Sequence, residues 1–199
     1  MGSPPIGTWC IWVAAQWARC RLHEFLSPLS NHRADAYGGS IEHRVRLLLD
    51  VVRAVRSVWP ERLPLLVRLS VTDWVEGAWD IAQSVQLARL LGPLGIDVVD
   101  CSSGGVVPGV TIPLGPGYEV PLAEQLRRDG GIATGAVGLI TDTSQADAIV
   151  RAGQADLVFM ARELLRDPYW PLHAARRLGC EIPWPSQYER ARQPVEHGR

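Results

Sequence analysis

Four short apolar runs recur along this chain roughly every 30 residues, and each is followed by a segment with helical periodicity. They are Leu65 to Ser70, Asp97 to Ser102, Ile132 to Gly135 and Leu157 to Ala161. Strands separated by whole helices cannot pair as hairpins. Successive βα units of this kind form a parallel sheet with crossover helices. A fifth run, Cys10 to Ala15, is a weaker strand candidate. A closed barrel of such units needs eight strands and about 250 residues, and this chain has 199. The expected fold class is therefore α/β, a partial (β/α)8 TIM barrel of about four to five units.

Helices are predicted between the runs. Ser40 reads as an N-cap for a helix with Ile41, Val45, Leu48, Val52 and Val55 on its apolar face, closed by Trp59-Pro60. Asp80 caps a second helix that runs to about Leu91, where Gly92 and Gly95 end it. Others are expected near Leu122 to Arg128, Asp142 to Ala152, Glu163 to Leu165 and Tyr169 to Leu178. Leu22 to Ser40 is a long connection, in which Arg33 and Asp35 are expected to pair while Gly38-Gly39 turn the chain into the helix. His23 and His32 fall in this segment and read as structural. Gly/Pro-rich Ser103 to Gly117 is a second long loop.

The totals exclude several kinds of chemistry. All twenty basic residues are Arg, so this chain supplies no Schiff-base lysine, pyridoxal-phosphate lysine or P-loop lysine. A net charge of −1 gives no reason to expect nucleic acid or an anionic membrane as partner. The apolar run Trp9 to Ala15 is too short to span a bilayer. Cys10, Cys20, Cys101 and Cys180 are far apart and make no metal-ligand cluster. They read as reduced thiols of a cytoplasmic protein.

Two sites at strand ends point to an anion. Asp156 to Pro168 passes from an apolar run straight into a helix-forming segment that Pro168 stops. Unpaired N–H groups at such a helix start, with Arg162 beside them, suit a phosphate. Upstream, Gly135 and Gly138 let the backbone approach a ligand. Consecutive strands ending this way match the phosphate site after strands seven and eight of a (β/α)8 barrel. Arg68, inside an apolar strand, needs a partner. Either it pairs with a carboxylate such as Asp73, or it faces an electron-rich ligand, with Ser102 and Ser103 donating to the same ligand. A ring held there and a phosphate held by Gly135 and Arg162 describe a mononucleotide cofactor.

HEFLSPLSNHR with the following D and YGGS (22–40), VRLS (67–70), DCSSGG (100–105), ATGAVGLIT (133–141), ADLVFMARELLRDP (155–168) and PSQYER (185–190) resemble the old yellow enzyme family, in its bacterial ene-reductase subclass. The resemblance covers 22–190, preceded by an unmatched 1–21 and followed by an expected disordered tail, 191–199. It implies the C-terminal half of an FMN-binding barrel, with NADPH or NADH as reductant and an activated alkene as substrate. On the same basis Arg68 meets the flavin N1/O2 edge, while Gly135, Ala136, Gly138, Ala161 and Arg162 hold its phosphate. Ala161 stands where the family usually has Gly. Arg190 would reach across a subunit interface of a homo-oligomer into the neighbour's active site. The family's substrate-binding pair and Tyr donor correspond to Ala15, Ala18 and Cys20, so the resemblance also implies a truncated, impaired enzyme. The alternative is a non-catalytic half-barrel that acts through weak flavin binding or association with another chain. A different phosphate-binding barrel enzyme would have to rely on Asp73 and Asp100.

Overall fold

The computed structural model describes residues 22–192. The weak strand candidate at Cys10 to Ala15 lies outside them. A helical stretch at 22–26 and a turn-rich segment lead into α1 (Ile41–Arg44) and α2 (Arg46–Val58). Then come β1 (Leu66–Ser70), α3 (Ile81–Leu91), a 3-10 turn (Gly92–Leu94), β2 (Val98–Ser102), α4 (Val120–Gly130) and β3 (Ala133–Ala136). The chain continues through α5 (Thr143–Arg151), β4 (Leu157–Val158), α6 (Arg162–Arg166), α7 (Trp170–Arg177) and a 3-10 segment (Ser186–Ala191).

All four strands are parallel, and their order in the sheet is their order in the chain. Residue alternation divides the sheet into two faces. Leu69, Val99, Cys101 and Ala136 join one core with Leu48 and Val52 of α2, Val85 and Leu91 of α3, Leu126 of α4 and Ile149 of α5. The register places Arg68 beside Asp100, Asp100 beside Gly135 and Gly135 beside Leu157, in one row with the opposite parity. The helical layer thus takes the apolar residues, and the charged row belongs to the other face.

Local signals explain most boundaries. Asp80 accepts from the Gln83 N–H at 2.8 Å and Asp142 from the Gln145 N–H at 2.9 Å, caps worth about 1 kcal/mol each. Ser40 has the extended backbone of a cap, but its side chain makes no capping bond. The single helix expected after it is two, parted at Val45. At the break Arg44 turns inward and donates to the carbonyls of Leu26 and Gly39 and to Gln83. Gly38 is required where it stands, because a Cβ there would lie 2.1 Å from the Arg33 carbonyl oxygen. The Arg33–Asp35 pair forms and holds the Asp35 carboxyl down to about 2.

The apolar run Leu157 to Ala161 is strand only in part: Leu157–Val158 pairs, and Leu157 is 42% exposed. The reason is position, since among the described residues β4 is the last strand of the sheet and has one neighbour. After Pro183 and Pro185 the chain is not extended throughout. Residues Ser186–Ala191 coil into a 3-10 segment, with the Tyr188 ring edge-on to Tyr169 at 5.8 Å. Arg190 is exposed on it.

Candidate functional site

Arg68 is anchored from the neighbouring strand. Its Nη1 donates to Asp100 Oδ2 at 2.6 Å and its Nη2 to Ser102 Oγ at 3.0 Å. Asp100 is fully buried, while the Arg68 side chain keeps 27% of its surface exposed. A guanidinium fixed by two partners in one plane loses little freedom when it meets a third group. Its Nε is buried and has no partner. What the Arg68 side chain leaves open to a ligand is the 27% of its surface that stays exposed.

The carboxylate that pairs with Arg68 is Asp100, not Asp73. Asp73 is taken by the 22–31 segment: His23 Nε2 lies 2.8 Å from one of its oxygens, and Ser27 Oγ donates to the other at 2.6 Å. The Trp79 N–H adds a bond at 3.2 Å. Burial works to raise the Asp73 carboxyl, but the bonds from His23 and Ser27 outweigh it and hold the group below its usual range. His23 is accordingly a structural residue, locking the first described segment onto the loop after β1. His32 is exposed. Neither Asp73 nor Asp100 is left as a free acid or base.

The turn after β3 has the geometry of a ligand cradle. Gly138 sits at φ 105 and Leu139 at φ 54, a left-handed conformation that costs a leucine about 1 kcal/mol or more. None of the backbone N–H groups from Val137 to Thr141 is hydrogen-bonded to another described residue. Beside this turn, β4 ends and Ala161 leads into α6 with Arg162 exposed. The first N–H groups of that helix are unpaired by construction. Gly135 has a different duty from Gly138. A Cβ on Gly135 would fall 1.9 Å from the Phe159 ring, so this glycine makes room for a side chain of the next strand.

Sequence reasoning missed Glu119. It is 2% exposed, accepts a hydrogen bond from Ser103 Oγ at 2.5 Å, and its Oε2 stands 2.9 Å from where a Gly138 Cβ would be. Burial lifts its carboxyl above the ordinary range; the bonds from Ser103 and Tyr118 and the Arg68 charge pull the other way, and Asp100 adds to the rise. Ser103, expected to face a ligand, is thus engaged with Glu119. Burial also pushes up the Tyr118 hydroxyl and the Cys101 thiol. Glu119 sits at the end of a Gly/Pro-rich loop with no periodicity, and only the bond between the Gly117 N–H and the Gly138 carbonyl, at 2.7 Å, carries it to the cradle.

Arg68 and Ser102 meet across β1 and β2, while Gly135, Ala136 and Gly138 lie on and just after β3 and Ala161 and Arg162 follow the neighbouring β4. Arg190 lies apart, on the C-terminal segment. Ala15, Ala18 and Cys20 are outside the described residues. Among the described residues no group of three His, Cys, Asp or Glu could hold a metal, and no helix is long and apolar enough to cross a membrane.

A parallel βα sheet whose strands follow one another in chain order, with helices packed on one face, is a segment of the (β/α)8 barrel architecture. The profile of the NADH:flavin oxidoreductase / NADH oxidase family matches residues 21–181, and the chain belongs to that family. That family is one of FMN oxidoreductases named for their use of NADH. The chain is 53% identical over 170 residues to an NADPH dehydrogenase of Halalkalibacterium halodurans, and 50% identical over 169 residues to one of Bacillus subtilis. Each alignment covers 85% of this chain and 49% of the relative, so the chain spans about half the length of the curated relatives it matches. An old yellow enzyme homologue from Zymomonas mobilis superposes with a TM-score of 0.61 at 25% identity, over 78% of this chain and 43% of that one.

Proposed function

We propose that this chain carries the flavin-binding part of an FMN-dependent NAD(P)H oxidoreductase of the ene-reductase type. FMN, when bound, would supply the hydride-transfer chemistry between NADPH or NADH and an activated alkene. Arg68 carries the reading: a strand-borne guanidinium held by Asp100 and Ser102, with about a quarter of the side chain still exposed. That is the donor set the electron-rich N1/O2 edge of an isoalloxazine needs. Backbone N–H groups of the turn at Gly138 and at Ala161–Arg162 would hold the phosphate, with Gly135 and Ala136 as the strand end that carries the turn and the exposed Arg162 as the nearby cation. Ser102 steadies Arg68, and Ser103 reaches the same space through Glu119. Arg190 would act on the site of a neighbouring subunit of a homo-oligomer. Ala15 and Ala18 cannot polarise a carbonyl, so turnover by this chain alone is expected to be very low, each lost donor lowering the rate by about 10² to 10³. Cys101 and Cys180 are free thiols, which suits a reducing, cytoplasmic setting.

Titration of the chain with FMN, followed by flavin fluorescence and visible absorbance, tests this. Saturable binding is expected in the micromolar range or weaker, about tenfold weaker again in Arg162→Ala. No saturable change up to about millimolar FMN, a concentration that would register even a contribution of only about 4 kcal/mol, refutes the reading.

A second reading, a non-catalytic half-barrel that works by association, is favoured by the sheet edges. Among the described residues, no strand pairs with the outer side of β1 or of β4. Unpaired edges template further strands. Sedimentation velocity over a range of concentrations separates a monomer from an edge-paired assembly.

A further inference from the structure

We propose that Glu119 is the proton-linked gate of the anion cradle: it takes up a proton when the cradle binds the phosphate of FMN. The inference rests on the flavin reading above and deepens it. Three observations place Glu119 there. Its carboxyl is buried against the left-handed Gly138, the corner of the turn with unpaired N–H groups. Ser103 ties it to the end of β2, one residue beyond the Ser102 that holds Arg68. The Gly117 N–H to Gly138 carbonyl bond fixes the two loops to each other, and the Ser103 bond holds the carboxyl at their junction.

The charges facing Glu119 decide the sign. From β1 comes the Arg68 guanidinium; from β2 come Asp100 and the Cys101 thiol, and from its own loop the Tyr118 hydroxyl. Asp100 bonds Arg68 at 2.6 Å, so the one cation of this group already neutralises one carboxylate. An ionised Glu119 leaves the group with a net negative charge beside a cradle meant for phosphate, and a protonated Glu119 leaves it neutral. Burial, which already raises this carboxyl, works in the same direction as the incoming phosphate. Affinity should therefore be highest with Glu119 protonated and fall as pH rises past its titration. A protonated Glu119 can also donate, so Ser103 Oγ becomes free to turn toward the ligand.

The experiment compares the Kd for FMN of the unchanged chain and of Glu119→Gln between pH 5 and 8.5, read by flavin fluorescence. Because the phosphate of FMN itself titrates, with a second pKa of about 6, the ratio of the two Kd values is the quantity to follow. That ratio is expected to grow with pH by up to about tenfold per unit above the Glu119 titration, which is the limit for one linked proton. Calorimetry of both proteins in two buffers of different ionisation enthalpy should show more proton uptake on binding by the unchanged chain than by Glu119→Gln, since the FMN phosphate contributes equally to both. A ratio that stays flat with pH, or equal proton exchange by the two proteins, overturns the gate while leaving the flavin reading intact. Failure of both proteins to bind FMN at any pH overturns the flavin reading, and the gate with it.

Discussion

Replacing Arg68 with Leu keeps the size of the side-chain stem and removes the guanidinium that neutralises Asp100. Asp100 is 0% exposed, so water cannot take over the lost interaction. Breaking a buried ion pair from one side costs about 3 to 5 kcal/mol. The Arg68 side chain is 27% exposed, which places this case at the low end, about 3 kcal/mol. For a domain of this size that lowers Tm by roughly 6 to 12 °C. The loss should depend on pH. Without its cation, the Asp100 carboxyl of the variant is pushed above its unfolded value of about 3.9 by burial. A carboxyl raised on folding binds more protons in the folded state, so stability falls as pH rises through that window and is recovered in acid. Urea unfolding of Arg68→Leu at about pH 8 and pH 5 should show a clearly smaller deficit at the lower pH. A deficit under about 1 kcal/mol at pH 8 would mean that the pair behaves as an exposed ion pair. A deficit equal at both pH values would mean that the loss is one of packing.

In Gly135→Ala the new methyl meets the Phe159 ring, a clash expected to cost about 1 to 3 kcal/mol; pairing it with Phe159→Leu should restore most of the melting temperature, and no recovery would place the strain elsewhere. Asp73→Asn should flatten the acid limb of the stability profile: the depressed Asp73 carboxyl contributes stability above its unfolded pKa of about 3.9, and that contribution is lost as pH falls below it. An unchanged acid limb, followed by circular dichroism, would show that the bonds from His23 and Ser27 do not stabilise the ionised form. Arg190→Ala should leave the melting temperature within about 0.5 kcal/mol equivalent. In a chimera that adds the part of a curated relative which this chain does not span, it should still raise KM, and an unchanged KM together with an unchanged subunit stoichiometry would make Arg190 part of the tail alone.

The alternation of βα units was legible because it is written in spacing and hydropathy, which act locally. Arg68 was legible as a residue in need of a partner, but its partner was not, because Asp73 and Asp100 are both close in the list of acids and only register separates them. A clue was present: VRLS at 67–70 and VDCS at 99–102 carry their charges at the same offset, and parallel pairing in register sets them side by side. The tie from His23 to Asp73 spans 50 residues and leaves no periodic trace. Glu119 was hidden for the same reason, since a loop without repeat gives no hint of which side chain it buries. Gly135 was read as room for a ligand, although the structure uses that room for Phe159, a distinction that depends on the direction of a Cβ not present in the residue.

The identity of sheet order and chain order has a consequence for how the protein is made. During synthesis β1 emerges first, and its only partner among the described strands, β2, follows about 30 residues later, so pairing can keep pace with the ribosome. Each later strand adds to an edge already waiting, over a loop short enough that closure costs little more than for the one before. The Arg68–Asp100 pair closes with the first such addition. Its charges can meet while the segment after β3 is still emerging, so the polar row can be settled before the turn at Gly138 folds.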